Sequence, residues 1–110
     1  MSTLQLLAAD GTRLSAYVVK PEGTPRGAVV VVQEIFGVNS HIRRVAEQYA
    51  AAGYVAIAPA LFDRLQKGVE LGYDAAGLQA GIDLMMKATN EGVLADLNAT
   101  LAAENAARLK

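Results

Sequence analysis

A single carboxylate, Glu34, stands just past an uninterrupted apolar run, Ala28-Val29-Val30-Val31-Val32, with only Gln33 between them. Ile35-Phe36-Gly37 follow it, and a helical pattern opens at Asn39 or Ser40. An apolar run of this kind suits a buried strand, so Glu34 falls at a strand's carboxyl end, where open α/β sheets bind their ligands. A carboxylate so placed can take up a proton or organise a neighbouring nucleophile. Amides close to a helix N-terminus present free N–H groups and positive dipole, which suits a negative charge developing during a reaction. Two absences narrow the chemistry. The chain has no cysteine, hence no disulfide, thiolate metal ligand or thiol nucleophile. It also has no Gly-x-Ser-x-Gly or Gly-x-Cys-x-Gly elbow, and its one histidine, His41, falls in the first turn of the expected helix. No cofactor and no metal site are expected.

The elements that must hold these residues follow from pattern and punctuation. Leu4 to Ala9 is mostly apolar, Asp10-Gly11 is a turn dipeptide, and Leu14 to Val19 alternates loosely, so residues 3–20 read as a β-hairpin. Pro21, Gly23, Pro25 and Gly27 make a loop before the strand at 28–32. Ile42, Val45, Ala46 and Tyr49 recur at helical spacing, and Gly53 ends that helix. Tyr54 to Ala58 is a second apolar strand closed by Pro59. Strand, helix and strand make a βαβ crossover, which implies parallel pairing. Residues 63–74 carry charges and glycines and read as a surface excursion. Helices are expected over 75–88 and 91–109, the second with Leu94, Leu97 and Leu101 on one face. A helix leading into no further strand leaves the sheet unfinished.

Bulk properties agree with one globular unit. The 110 residues are 53% apolar and 19% charged, with a formal net charge of −1. Nucleic acid and anionic membrane both call for a basic surface, so neither is expected as a partner. No basic stretch followed by an apolar one opens the chain, and no apolar run approaches a membrane span. A cytoplasmic location is the default expectation.

With the hairpin counted as two strands, residues 33–39 join the third strand to the first helix. In α/β hydrolases that loop supplies one oxyanion-hole N–H. Val30-Val31-Val32-Gln33-Glu34-Ile35-Phe36-Gly37-Val38-Asn39 resembles the signature of the dienelactone hydrolase family (carboxymethylenebutenolidases). Gly53-Tyr54-Val55-Ala56 and Ala58-Pro59-Ala60-Leu61-Phe62 resemble its next strand. The resemblance runs over nearly the whole chain and is specific in the first block. It implies the N-terminal half of an α/β-hydrolase fold, a partial domain over 1–110 cut before the nucleophile elbow. It implies a hydrolase acting on small esters or lactones by nucleophilic acyl transfer, with cysteine, aspartate and histidine C-terminal to the matched region. Residues 1–110 alone are then expected to be inactive.

Residue by residue, Glu34 matches the family's buried glutamate, which helps activate the cysteine. Ile35 matches the residue whose backbone N–H donates to the oxyanion. Tyr73 and Phe36 match substrate-contacting positions. Val69 falls where an arginine helps in the dienelactone enzymes, which implies a different substrate, and Ala60 replaces an aspartate often seen after the proline.

Plainer readings stand beside these. On spacing alone Glu34 is a solvated carboxylate favoured by the helix dipole; its flanking residues favour the functional reading. Ile35 and Phe36 side chains close the core, Tyr73 packs, His41 sits on the surface and Arg43-Arg44 form a solvated face. Asp63-Arg64 make a surface ion pair, worth little. Met85-Met86 belong to the core or to a contact surface. The rival to an enzyme is a non-catalytic α/β interaction module, which would self-associate through the uncovered sheet.

Overall fold

Antiparallel pairing of β1 (Ser2–Leu7) with β2 (Arg13–Val19) opens the chain, with Leu6 opposite Leu14. The computed structural model describes residues 2–108, and side chains to residue 105. The turn closes at Asp10-Gly11, where Ala8 N–H donates to Thr12 O at 2.9 Å and Thr12 N–H donates to Asp10 Oδ1 at 3.1 Å. Leu14, Ala16 and Val18 alternate inward along β2, the period a sheet imposes. β3 (Gly27–Val30), α1 (Ser40–Ala51) and β4 (Tyr54–Pro59) form the crossover, and β3 lies parallel to β4. The sheet order is β1-β2-β4-β3, followed in the chain by α2 (Ala75–Lys87) and α3 (Asn90–Arg108). The expected helix end at Leu109 lies outside the described residues.

Both faces of the sheet are covered. On one, Leu6, Leu14, Ala16, Val18, Val55 and Ile57 form a cluster against which Ala99 and Ala103 of α3 pack. On the other, Val31, Ala56 and Ala58 meet Ile42 and Ala46 of α1. Asn39 is the residue that caps α1, accepting from Ile42 N–H at 3.1 Å. The ladder of β3 ends at Val30, two residues before the apolar run does. Val31 still donates to Ile57 O at 2.8 Å, but Val32, past the end of the ladder, is 55% exposed, and among the described residues β3 has β4 as its one sheet neighbour.

Two expectations are corrected. Two members of the leucine stripe of α3 face outward, Leu94 at 59% and Leu101 at 49% exposed, with Leu97 half-buried, while Asp96, Thr100 and Glu104 are buried. Asp63 and Arg64 also do not pair with each other. Asp63 is buried and accepts from the backbone of Ser15 at 2.8 Å and of Gly68 at 3.0 Å. Arg64 instead reaches Asp96 at 2.7 Å and Asp10 at 2.6 Å, tying the hairpin turn to α3. The 63–74 segment is mostly exposed, as expected of a surface excursion, and is pinned to the fold at Asp63, Arg64 and Val69. Phe62, Val69 and Leu84 form a third small cluster, which also places Val69 in a core. Met85 and Met86 are 47% and 77% exposed, so neither is core.

The Arg64 guanidinium, with the Thr12 amide and hydroxyl, holds the Asp10 carboxyl well below the usual carboxylate range. A group whose folded value is depressed stabilises the fold above its unfolded value, about 3.9, and loses that contribution as pH falls toward the folded value. The stability difference between wild type and Asp10→Asn is therefore expected to be constant above about pH 5 and to shrink below about pH 4. Melting curves of both proteins across that range check this. A difference that ignores pH would show the pair contributes nothing of this kind.

No helix of the described residues is long and apolar enough to cross a membrane.

Candidate active site

Beyond Val31 the chain leaves the sheet, and Gln33 secures its exit. Its Oε1 accepts from Leu61 N–H at 2.8 Å, across the gap to the loop after β4, and its Nε2 donates to Glu34 O at 3.1 Å. Gly37 N–H donates to the same carbonyl at 3.1 Å, closing a tight turn around Ile35 and Phe36. Gly37 adopts φ 88°, and a Cβ built there would lie 2.0 Å from Val69 O, so only glycine fits against the 69–71 segment. Leu71 N–H donates to Phe36 O at 2.9 Å on the same side. From above, α2 rests directly on the loop, and a Cβ at Gly81 would lie 2.3 Å from Ile35 O.

Glu34 and Ile35 line one cleft of about 240 Å³ with Leu61, Phe62, Met85 and Val93. Its walls are mainly apolar and its one carboxylate is Glu34. That carboxylate is exposed, not buried as the resemblance implies, because the turn carries it to the rim and nothing in the described residues covers it. Among the described residues no hydrogen bond engages the Ile35 N–H. Phe36 and Tyr73 meet edge to face, 4.6 Å between ring centroids at 79°, a favoured aromatic geometry. Tyr73 Oη accepts from Asn39 Nδ2 at 3.0 Å, so the residue that caps α1 also anchors this ring. The aromatic pair is not part of the cleft lining, although the tyrosine is 65% exposed. The structure thus brings Glu34 with Ile35 and Phe36 with Tyr73, the two pairs joined by one short loop.

His41 and Arg44 are exposed on α1. Arg43 departs from the expected solvated face: it binds Glu70 at 3.1 Å and Val38 O at 2.9 Å, bracing the loop before α1 to the 69–71 segment. A larger depression of about 520 Å³ lies between the hairpin and this brace, lined by Ser15, Tyr17, Arg43, Lys67 and Glu70 among others. It contains none of Glu34, Ile35, Phe36 or Tyr73. Burial pushes the Tyr17 hydroxyl up from its ordinary value, Glu47 adds to the shift and Arg43 opposes it. Among the described residues no group of three or more His, Cys, Asp or Glu side chains could hold a metal ion.

Residues 14–109 match the sequence profile of the Dienelactone hydrolase family. The chain belongs to that family. A relative from Synechocystis sp. that carries the name carboxymethylenebutenolidase is 42% identical over 102 residues, covering 92% of this chain and 42% of the relative. One of the same name from Escherichia coli K12 is 38% identical over 94 residues, 84% of this chain and 34% of the relative. Among solved structures, a dienelactone hydrolase from Klebsiella pneumoniae superposes with a TM-score of 0.72 at 31% identity, covering 96% of this chain and 45% of that one. A dienelactone hydrolase-like promiscuous phosphotriesterase from metagenomic libraries superposes with a TM-score of 0.64 at 27% identity, covering 96% and 43%. The chain spans less than half the length of these relatives, and over that span its mixed sheet and helices are part of the dienelactone hydrolase α/β fold.

Two features of this site escape sequence reasoning. Gln33 enters the family block as a letter, but its tie to Leu61 spans 28 residues. The Arg64–Asp96 pair that seats α3 beside the cleft spans 32. A signal for the second exists: Asp96, Thr100 and Glu104 recur every four residues along one face of the helix.

Proposed function

We propose that these residues supply the oxyanion donor and the activating carboxylate of a hydrolase that opens esters or lactones of small carboxylic acids. The observation that carries this reading is the placement of the Glu34 carboxylate and the unengaged Ile35 N–H on one cleft at the carboxyl end of β3. Family membership supports it, because the relatives are named for that chemistry.

The nucleophile is a cysteine thiol from a Gly-x-Cys-x-Gly elbow, which these 110 residues do not contain. A thiol attacks only as thiolate, so Glu34 accepts or organises its proton as substrate enters. The sulfur forms a bond to the acyl carbon, and the carbonyl oxygen takes the electron pair. The Ile35 N–H donates to that oxyanion; one such donor is worth about 3–4 kcal/mol of barrier in acyl-transfer enzymes. The ester C–O bond then breaks, the alcohol leaves with a proton, and water hydrolyses the thioester. Phe36 and Tyr73, outside the cleft lining, meet only the part of a substrate that extends beyond the cleft.

The test is ester hydrolysis by the intact gene product, with Glu34→Gln beside wild type. Replacing an acid–base group is expected to lower kcat/KM by about 10²-fold. Full activity in Glu34→Gln would overturn the assignment.

A further inference from the structure

We infer that Gln33 is a positioning residue whose carboxamide sets the Glu34–Ile35 peptide so that its N–H faces the cleft. This deepens the proposed function, since it rests on the Ile35 N–H being the oxyanion donor.

The side chain's two contacts fix its orientation by chemistry alone. The partner on the β4 side is the Leu61 N–H, which can only donate, so the atom 2.8 Å from it must be the carbonyl Oε1. The partner on the other side is Glu34 O, which can only accept, so the atom 3.1 Å from it must be the NH₂ group. A flipped amide would set acceptor against acceptor and donor against donor. The carboxamide is therefore a directional strut between the loops that follow β4 and β3.

What the strut holds matters because of peptide planarity. Glu34 O and Ile35 N–H belong to one trans peptide unit, so they point in opposite directions. Gln33 Nε2 and Gly37 N–H both donate to that oxygen, which fixes the carbonyl on the side away from the N–H. Rotation of the unit would break both bonds and present an oxygen to the cleft, where it would repel the developing oxyanion. Gly81 of α2 closes off movement of the following carbonyl, Ile35 O. Gln33 thus acts through the peptide and need not touch substrate.

Two substitutions in the intact gene product separate this role from simple packing. Gln33→Leu keeps the bulk and removes both hydrogen bonds. It is expected to lower kcat by about 10-fold, part of the loss on deleting an oxyanion donor, with KM within about twofold of wild type, since ground-state binding is untouched. Gln33→Glu keeps the acceptor for Leu61 but sets a carboxylate oxygen against Glu34 O. At about pH 7.5 it should lower kcat at least as much as Gln33→Leu, and on acidification to about pH 4 its activity relative to wild type should recover as the carboxyl gains a proton to donate.

The Ile35 amide resonance, read by isoleucine-selective ¹⁵N labelling, reports the peptide itself. It should move in both variants at about pH 7.5. A resonance unmoved in Gln33→Leu would overturn the positioning role. A moved resonance with kcat unchanged would uphold that role and sink the oxyanion reading of Ile35 instead.

Discussion

Arg64→Met is expected to destabilise the chain by about 3–5 kcal/mol, the cost of stripping one partner from a buried ion pair. The guanidinium meets Asp96 through two bonds, NH2 to Oδ1 at 2.7 Å and Nε to Oδ2 at 3.2 Å. It also reaches Asp10 Oδ2 at 2.6 Å and the Thr12 hydroxyl at 3.1 Å. The Asp96 side chain is wholly inaccessible, so without Arg64 its carboxylate would face the apolar sheet uncompensated. Arg64 keeps 16% of its own side-chain exposure, which places the expected loss toward the lower end. Because the net stability of a domain is about 5–15 kcal/mol, even that is a large share. Urea unfolding of wild type and variant measures it. Arg64→Met combined with Asp96→Leu should recover most of the loss, since an apolar pair carries no desolvation penalty. Arg64→Lys should fall between, because an ammonium cannot make the bidentate contact. A loss below about 1 kcal/mol in Arg64→Met would mean that the pair behaves as a surface one.

The same arginine shows where sequence reading ran out. The hairpin and the crossover were legible because each depends on neighbours in the chain: Asp10-Gly11 between apolar runs, and Ile42, Val45, Ala46 and Tyr49 recurring at helical spacing after a valine strand. The stripe of Leu94 and Leu101 was equally legible, but not which way it faces. On periodicity alone a leucine stripe turns inward. Here the opposite face turns inward, because the small side chains of Ala99 and Ala103 pack on the sheet and Asp96 finds Arg64. That partner is contributed by a segment whose charges suggested a loop. Asp63 makes the same point, its carboxylate serving the amides of Ser15 and Gly68, the first 48 residues away. Bonds from side chains to distant backbone leave no periodic trace. At the site, the family block placed Glu34 and Ile35 together on one rim, whereas the exposure of Glu34 and the anchoring of Tyr73 by Asn39 depend on how the later segments fold back.

Gly37→Ala should cost several kcal/mol and disable the site, and a set of three glycines shows why. At Gly68 φ is +69° and a Cβ would meet nothing within 4 Å, so Gly68→Ala bears the conformational penalty alone, about 1–2 kcal/mol. At Gly81, within α2, the obstacle is steric, since the new Cβ would lie 2.3 Å from Ile35 O. Overpacking of that kind costs about 1–3 kcal/mol. Gly37 combines both, with φ +88° and a Cβ 2.0 Å from Val69 O. Its expected loss is the sum, about 2–5 kcal/mol, because a backbone carbonyl cannot swing aside as a long side chain can. Relief requires the 69–71 segment to move away, which breaks the Leu71-to-Phe36 bond and loosens Tyr73 from Phe36. The Gly37 N–H that holds Glu34 O shifts with it, so the Ile35 N–H loses its aim. Ester hydrolysis by Gly37→Ala should therefore fall further than its loss of folded protein explains, while Gly68→Ala should lose stability with activity per folded molecule intact. Equal specific activity in the two variants, corrected for the folded fraction by urea titration, would sever the link between this turn and catalysis.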